Sequence, residues 1–126
     1  MSKGEVPVVK EMAFVAYSVR DVPKAIEFYR DVIGLKPSDM FSEYWAEFDL
    51  GNVTFGIGNG ESLGIMPGSS FSATFEVDDL VSTRTRLVAK NIPVTEIMDA
   101  PMCTSFFVTD PEGNRFGLHQ RKAKHA

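Results

Sequence analysis

The chain has 126 residues, the size of a single domain, and its 44 % hydrophobic and 24 % charged residues describe a folded globular protein rather than a disordered one. A net charge of −4, with a pI near 5.1, disfavours a phosphate backbone as partner, so no nucleic acid is expected. The single cysteine, Cys103, rules out an internal disulfide and any Cys/His zinc spacing, and suits a reducing cytoplasm. The N-terminal Met1 to Val6 has no apolar stretch of signal-peptide length, and no run approaches the roughly 18 apolar residues of a membrane span, so neither a signal peptide nor a membrane partner is expected.

In chain order, Phe14 to Ser18 and on to Asp21 opens with period-two alternation, Val15, Tyr17 and Val19 forming the apolar set. Asp21 is placed to cap a helix and Pro23 falls in its first turn, where a missing N–H costs nothing. Val22, Ile26, Tyr29 and Ile33 recur at helical spacing, and Gly34 suits the left-handed stop. Lys36–Ser42 reads as a strand. Tyr44–Leu50 alternates Ala46, Phe48 and Leu50 against Trp45, Glu47 and Asp49, and the Gly51-Asn52 turn leads into Val53, Phe55 and Ile57.

The same grammar then repeats. Ser72 to Val77 alternates, Asp79 caps a second and apolar-poor helix carrying Leu80, Leu87 and Val88, and Asn91 ends it. Val94–Met98 and Met102–Thr109 read as strands. The turn Asp110, Pro111, Glu112, Gly113, Asn114 leads into Phe116 and Leu118, with Gly117 and His119 on the other face. The order β-α-β-β-β therefore occurs twice, over residues 11–58 and 71–120. A Gly- and Ser-rich linker spans 59–70, with Ile65 and Met66 among its few bulky residues.

Paired units with Asp21, Phe28, Tyr29, Asp31, Gly34 and Leu35 in this spacing, and a closing Asp-Pro-Glu-Gly-Asn turn, resemble the vicinal oxygen chelate superfamily, which groups glyoxalases, bleomycin-resistance proteins and extradiol dioxygenases. The resemblance implies an α+β fold in which two βαβββ modules form a half-open, curved, mixed sheet around a concave cavity, commonly in a homodimer. In metal-using members a square of His, Gln or Glu ligands lines that cavity. The matching positions here are Phe14, Ser72, Gly117 and Gly56, or Phe55 if the register slips by one. Phenylalanine and glycine side chains have no donor atoms and a serine hydroxyl is a poor ligand, so neither metal nor other cofactor is expected.

Strand parity sends Phe14, Ala16, Ser18, Trp45, Glu47, Asp49, Ser72, Thr74, Glu76, Gly117 and His119 into the concavity; for the strand containing Cys103 both parities are open. Phe14 and Trp45 can form an aromatic wall, while Gly56 and Gly117 would leave room for a ligand. Glu47, inward and mid-strand, needs a partner or solvent to remain charged, whereas Glu76 and Asp49 near strand ends read as solvated. His119 and Glu47 are the candidate general acid and base. The expected function is metal-independent binding or sequestration of a small molecule in a dimeric cavity, with Phe14, Trp45, Glu47, Ser72, Thr74, Gly117 and His119 as its contacts. The alternatives are a lyase, isomerase or dioxygenase-related enzyme using His119 and Glu47, and a structural or regulatory dimer with a filled cavity.

Overall fold

The computed structural model describes residues 10–69 and 73–123. The first half of the chain forms β1 (Val15–Ser18), α1 (Val22–Glu27), β2 (Pro37–Phe41), β3 (Trp45–Asp49) and β4 (Thr54–Gly58). The second forms β5 (Thr74–Glu76), α2 (Leu80–Ala89), β6 (Met98–Asp99), β7 (Cys103–Thr109) and β8 (Arg115–Arg121). The strands make two open four-stranded sheets in the orders β1-β4-β3-β2 and β5-β8-β7-β6. In each, the first strand pairs parallel with the last and every other pairing is antiparallel. A parallel pair needs a long crossover, and the helix after the first strand begins it.

Both helices start as the sequence dictates. Asp21 accepts the Lys24 backbone N–H at 3.0 Å, and Asp79 accepts that of Ser82 at 3.0 Å. After Glu27 the first helix widens into a π-helical stretch over Phe28–Ile33. The wider turn shifts the phase of the apolar face, so the consecutive residues Phe28 and Tyr29 are both buried while Ile26 is only half-buried. Gly34, at φ 92°, and Asn91, at φ 60°, make the left-handed exits. The expected strand Val94–Met98 is mostly absent: only an isolated bridge from Val94 to Val108 and the short β6 remain. Pro93 has no N–H, and the Thr95 hydroxyl takes the Phe107 N–H at 2.9 Å, so a side chain stands where a ladder bond would form.

One alternating set from every long strand meets in the core. Tyr17, Phe48, Phe55, Ile57, Phe75, Phe106, Val108, Phe116 and Leu118 pack with Val22, Phe28, Tyr29, Leu80 and Leu87 of the helices. The Tyr29 ring lies 5.2 Å from that of Phe55 and 5.6 Å from that of Phe116, so one helix of the first half packs on strands of both.

The closing turn of the second half ties the halves together. Buried Asp110 accepts the Tyr29 hydroxyl at 2.7 Å, the Asn114 backbone N–H at 2.9 Å and the Glu112 N–H at 2.9 Å. Glu112 accepts the N–H groups of Arg20 and Asp21, at 2.7 and 3.0 Å, at the entrance to α1. Asn114 donates to the Ser18 carbonyl at 3.0 Å and accepts from Gly68 and Ser69 in the linker, each at 2.9 Å. Tyr17 adds a further strap, donating to the Arg115 carbonyl at 2.6 Å and accepting the Ala73 N–H at 3.0 Å. Burial, with the nearby Asp110 charge adding to it, raises the Tyr29 pKa far above its ordinary value, so this hydroxyl is a permanent donor.

Candidate functional site

The set not used by the core leaves an open face on each sheet. On the first, the Trp45 indole lies across β4: a Cβ built at Gly56 would fall 2.5 Å from its Cη2 atom, and one at Gly58 2.5 Å from its Cε3. Only glycine on the neighbouring strand allows a ring to lie that close. The Phe14 ring meets the indole edge-on, with centroids 5.2 Å apart. The indole N–H donates to Glu47 Oε2 at 2.8 Å, so the half-buried carboxylate both orients the ring and sets a negative charge at its edge. Beside the ring opens a cleft of about 290 Å³, walled by Phe14, Tyr44, Trp45, Gly58, Leu63 and Ile65. Ser18 does not face this space as a free hydroxyl, because it donates to the Ile65 carbonyl at 2.7 Å and anchors the linker.

The second face has different chemistry. Across β5, β8 and β7 the register sets Glu76 against His119 and His119 against Ser105. His119 Nδ1 lies 2.6 Å from Glu76 Oε1, and the other carboxylate oxygen accepts the Arg121 backbone N–H at 2.7 Å. Burial acts to raise the Glu76 pKa, but the hydrogen bonds from Arg121 and His119, with the charges of both, outweigh it and leave the carboxyl below its ordinary value. These groups border a cleft of about 470 Å³ whose far wall is Leu35, Leu50 and Val53. Phe106 and Val108 are buried, so Cys103, Ser105 and Phe107 have the opposite parity, which places the half-buried Cys103 on the open face.

Glu76 is therefore not simply solvated, as its place at a strand end suggests, but is the partner of His119. Glu47 is engaged by Trp45 on the first sheet and His119 by Glu76 on the second, so the two candidate acid–base groups of the enzymatic alternative have different partners. The register of β5 against β8, which selects Glu76, is a tertiary fact that period-two spacing cannot supply. Since the folded pKa of Glu76 is depressed, its stabilising contribution is present above the ordinary value of 4.5 and disappears as acid protonates the folded carboxylate. The melting-temperature gap between wild type and Glu76→Gln is accordingly expected to be widest at neutral pH and to close below pH 4.5, as thermal denaturation at a series of pH values would record.

The glycines do not hold space for a ligand. The room at Gly56 is filled by Trp45, and at Gly117 a Cβ would meet the Thr74 hydroxyl at 2.8 Å. Phe14, Gly56 and Gly117 thus bring hydrocarbon or a neighbouring side chain to three corners of the expected ligand square; Ser72, the fourth, lies outside the described residues. Among the described residues no three His, Cys, Asp or Glu side chains gather as ion ligands would. The donor set does not fit a divalent ion at these positions.

Two open mixed sheets, each built by a strand–helix–three-strand unit, and an unfilled face on either sheet define a duplicated βαβββ protein. The chain belongs to the Glyoxalase/Bleomycin resistance protein/Dioxygenase superfamily, which matches residues 11–118. No curated protein matches it in sequence. Among solved structures it is similar to the lactoylglutathione lyase of Agrobacterium tumefaciens, at 22 % identity and a TM-score of 0.74, over 89 % of this chain and 94 % of that one. It is also similar to TnmS3, an antibiotic binding protein from Streptomyces sp. CB03234, at 20 % identity and a TM-score of 0.76, over 93 % of this chain and 100 % of that one. A superfamily member from Sphaerobacter thermophilus matches at 18 % identity and a TM-score of 0.74, over 89 % and 98 % of the two chains. At these identities the likeness is one of fold. Among the described residues no helix is long and apolar enough to cross a membrane.

Proposed function

We propose that the protein binds and sequesters a planar aromatic compound, preferably a cationic one, on the Trp45 wall without a metal ion. The observation that carries this reading is the indole held flat on Gly56 and Gly58, with its N–H on the Glu47 carboxylate. A ring fixed in advance loses little entropy when a second ring stacks on it, and a carboxylate at its edge favours a positive ligand. The overall charge of −4 draws cations toward the site.

A second copy of the chain completes the pocket in this reading, because Phe14, Tyr44, Leu63 and Ile65 around the cleft are left exposed in one chain. The lone cysteine suits a cytoplasmic location. Trp45 is the only tryptophan, so its emission reports directly on the site. Titration with bleomycin, and with proflavine as a minimal planar cation, should give saturable quenching matched by calorimetric heat. Sedimentation should return a dimer. Absence of both quenching and heat for these two compounds and for a wider panel of aromatic cations would refute the reading.

A further inference from the structure

The cleft on the second sheet shares no lining residue with the Trp45 cleft and carries the opposite chemistry. We infer that it is a separate binding site for a small organic acid whose carboxylate and hydroxyl groups stand about one aromatic ring apart. His119 Nδ1 faces Glu76 at 2.6 Å; with the proton on that nitrogen, Nε2 is left as an acceptor, and it has no hydrogen-bond partner among the described residues. The second Glu76 oxygen is held by the Arg121 N–H, so the carboxylate cannot swing away and the ring orientation is set.

Arg121 lines the same cleft two residues further along β8, on the same side of the strand. Two residues of strand span about 7 Å, which is roughly the distance across a benzene ring carrying a polar group at each end. A guanidinium matches a carboxylate, and the imidazole acceptor matches a hydroxyl donor. Glu76 enforces this orientation, since a carboxylate placed at His119 would face its charge. Leu35, Leu50 and Val53 cover the apolar body, and about 470 Å³ is ample for a single ring.

The test uses 4-hydroxybenzoate with the full-length protein, followed by calorimetry and by imidazole nitrogen NMR. His119 is distinguished from the only other histidine by comparison with His125→Ala. Saturable binding that shifts the His119 Nε2 resonance is expected. His119→Ala and Arg121→Gln should each weaken it roughly tenfold, Arg121→Gln at an unchanged melting temperature. Benzoate and phenol, each lacking one group, should bind more weakly, and Trp45→Phe should leave the affinity unaltered. Failure to saturate at tens of millimolar, full affinity in Arg121→Gln, or loss of binding in Trp45→Phe would each overturn the assignment. The last result would place the compound on the aromatic wall, so this site and the aromatic site fail in distinguishable ways.

Discussion

Asp110→Ala is expected to destabilise the protein by roughly 3–5 kcal/mol and to lower its melting temperature by on the order of 10–20 °C. The carboxylate is buried and accepts the Tyr29 hydroxyl, the Asn114 side chain and two backbone N–H groups, those of Glu112 and Asn114. Removing it leaves those donors facing one another in a space with no replacement acceptor. The loss spreads because Asn114 also holds the linker at Gly68 and Ser69 and the end of β1 at Ser18. Asp110→Asn should cost less, since one oxygen can still take the two backbone N–H groups while the amide meets Asn114 donor to donor. Tyr29→Phe removes a single partner and should fall lowest, at about 1–2 kcal/mol. Denaturant unfolding of the three variants checks the order; if Tyr29→Phe proves as damaging as Asp110→Ala, the turn is not the joint described above.

That joint explains which features were legible in the chain and which were not. Asp21, Asp79, Gly34 and Asn91 act through their own backbone within a few residues, and caps of that kind can be read directly from sequence. Period-two alternation placed Trp45 and Glu47 on the face away from Ala46 and Phe48, and the buried set follows that parity. Alternation says nothing about which strand lies beside which. The Glu76–His119 contact joins residues 43 apart, and the Trp45 indole resting on Gly56 and Gly58 depends on the β3–β4 register. Gly56 therefore read as room for a ligand when its role is to admit a ring from the next strand. Asp110 read as a turn former, yet one of the four hydrogen bonds its carboxylate accepts comes from Tyr29, 81 residues away.

The two halves share one backbone grammar, yet their open faces differ. The first presents aromatic rings with Glu47 and Asp49; the second presents His119 with Arg115 and Arg121, set off by Glu76. Arg115 lies 5.6 Å from the Phe107 centroid, so even the aromatic residue of the second face is covered by a cation. A shared fold therefore does not imply a shared ligand between its halves, and the two clefts call for probes of opposite charge.

Trp45→Ala should weaken the binding of a planar cation by roughly a hundredfold, near the upper end of what losing one aromatic anchor with its cation–π contact costs. The substitution removes the stacking surface and also uncovers Gly56 and Gly58, so calorimetry must replace fluorescence as the readout. Glu47→Gln keeps an acceptor for the indole N–H and leaves the ring in place, but it removes the charge. Its loss should be nearer tenfold and should shrink as salt is added, whereas the Trp45→Ala loss should be largely independent of salt. Gly58→Ala moves the ring without deleting it, because the new Cβ would sit 2.5 Å from Trp45 Cε3 and must push the indole off the strand. If the flat seating of the ring is what prepares the site, Gly58→Ala should approach the Trp45→Ala affinity while retaining every polar group. Wild-type affinity in Gly58→Ala would mean that the indole binds equally well from another pose, and the preformed wall would lose its role.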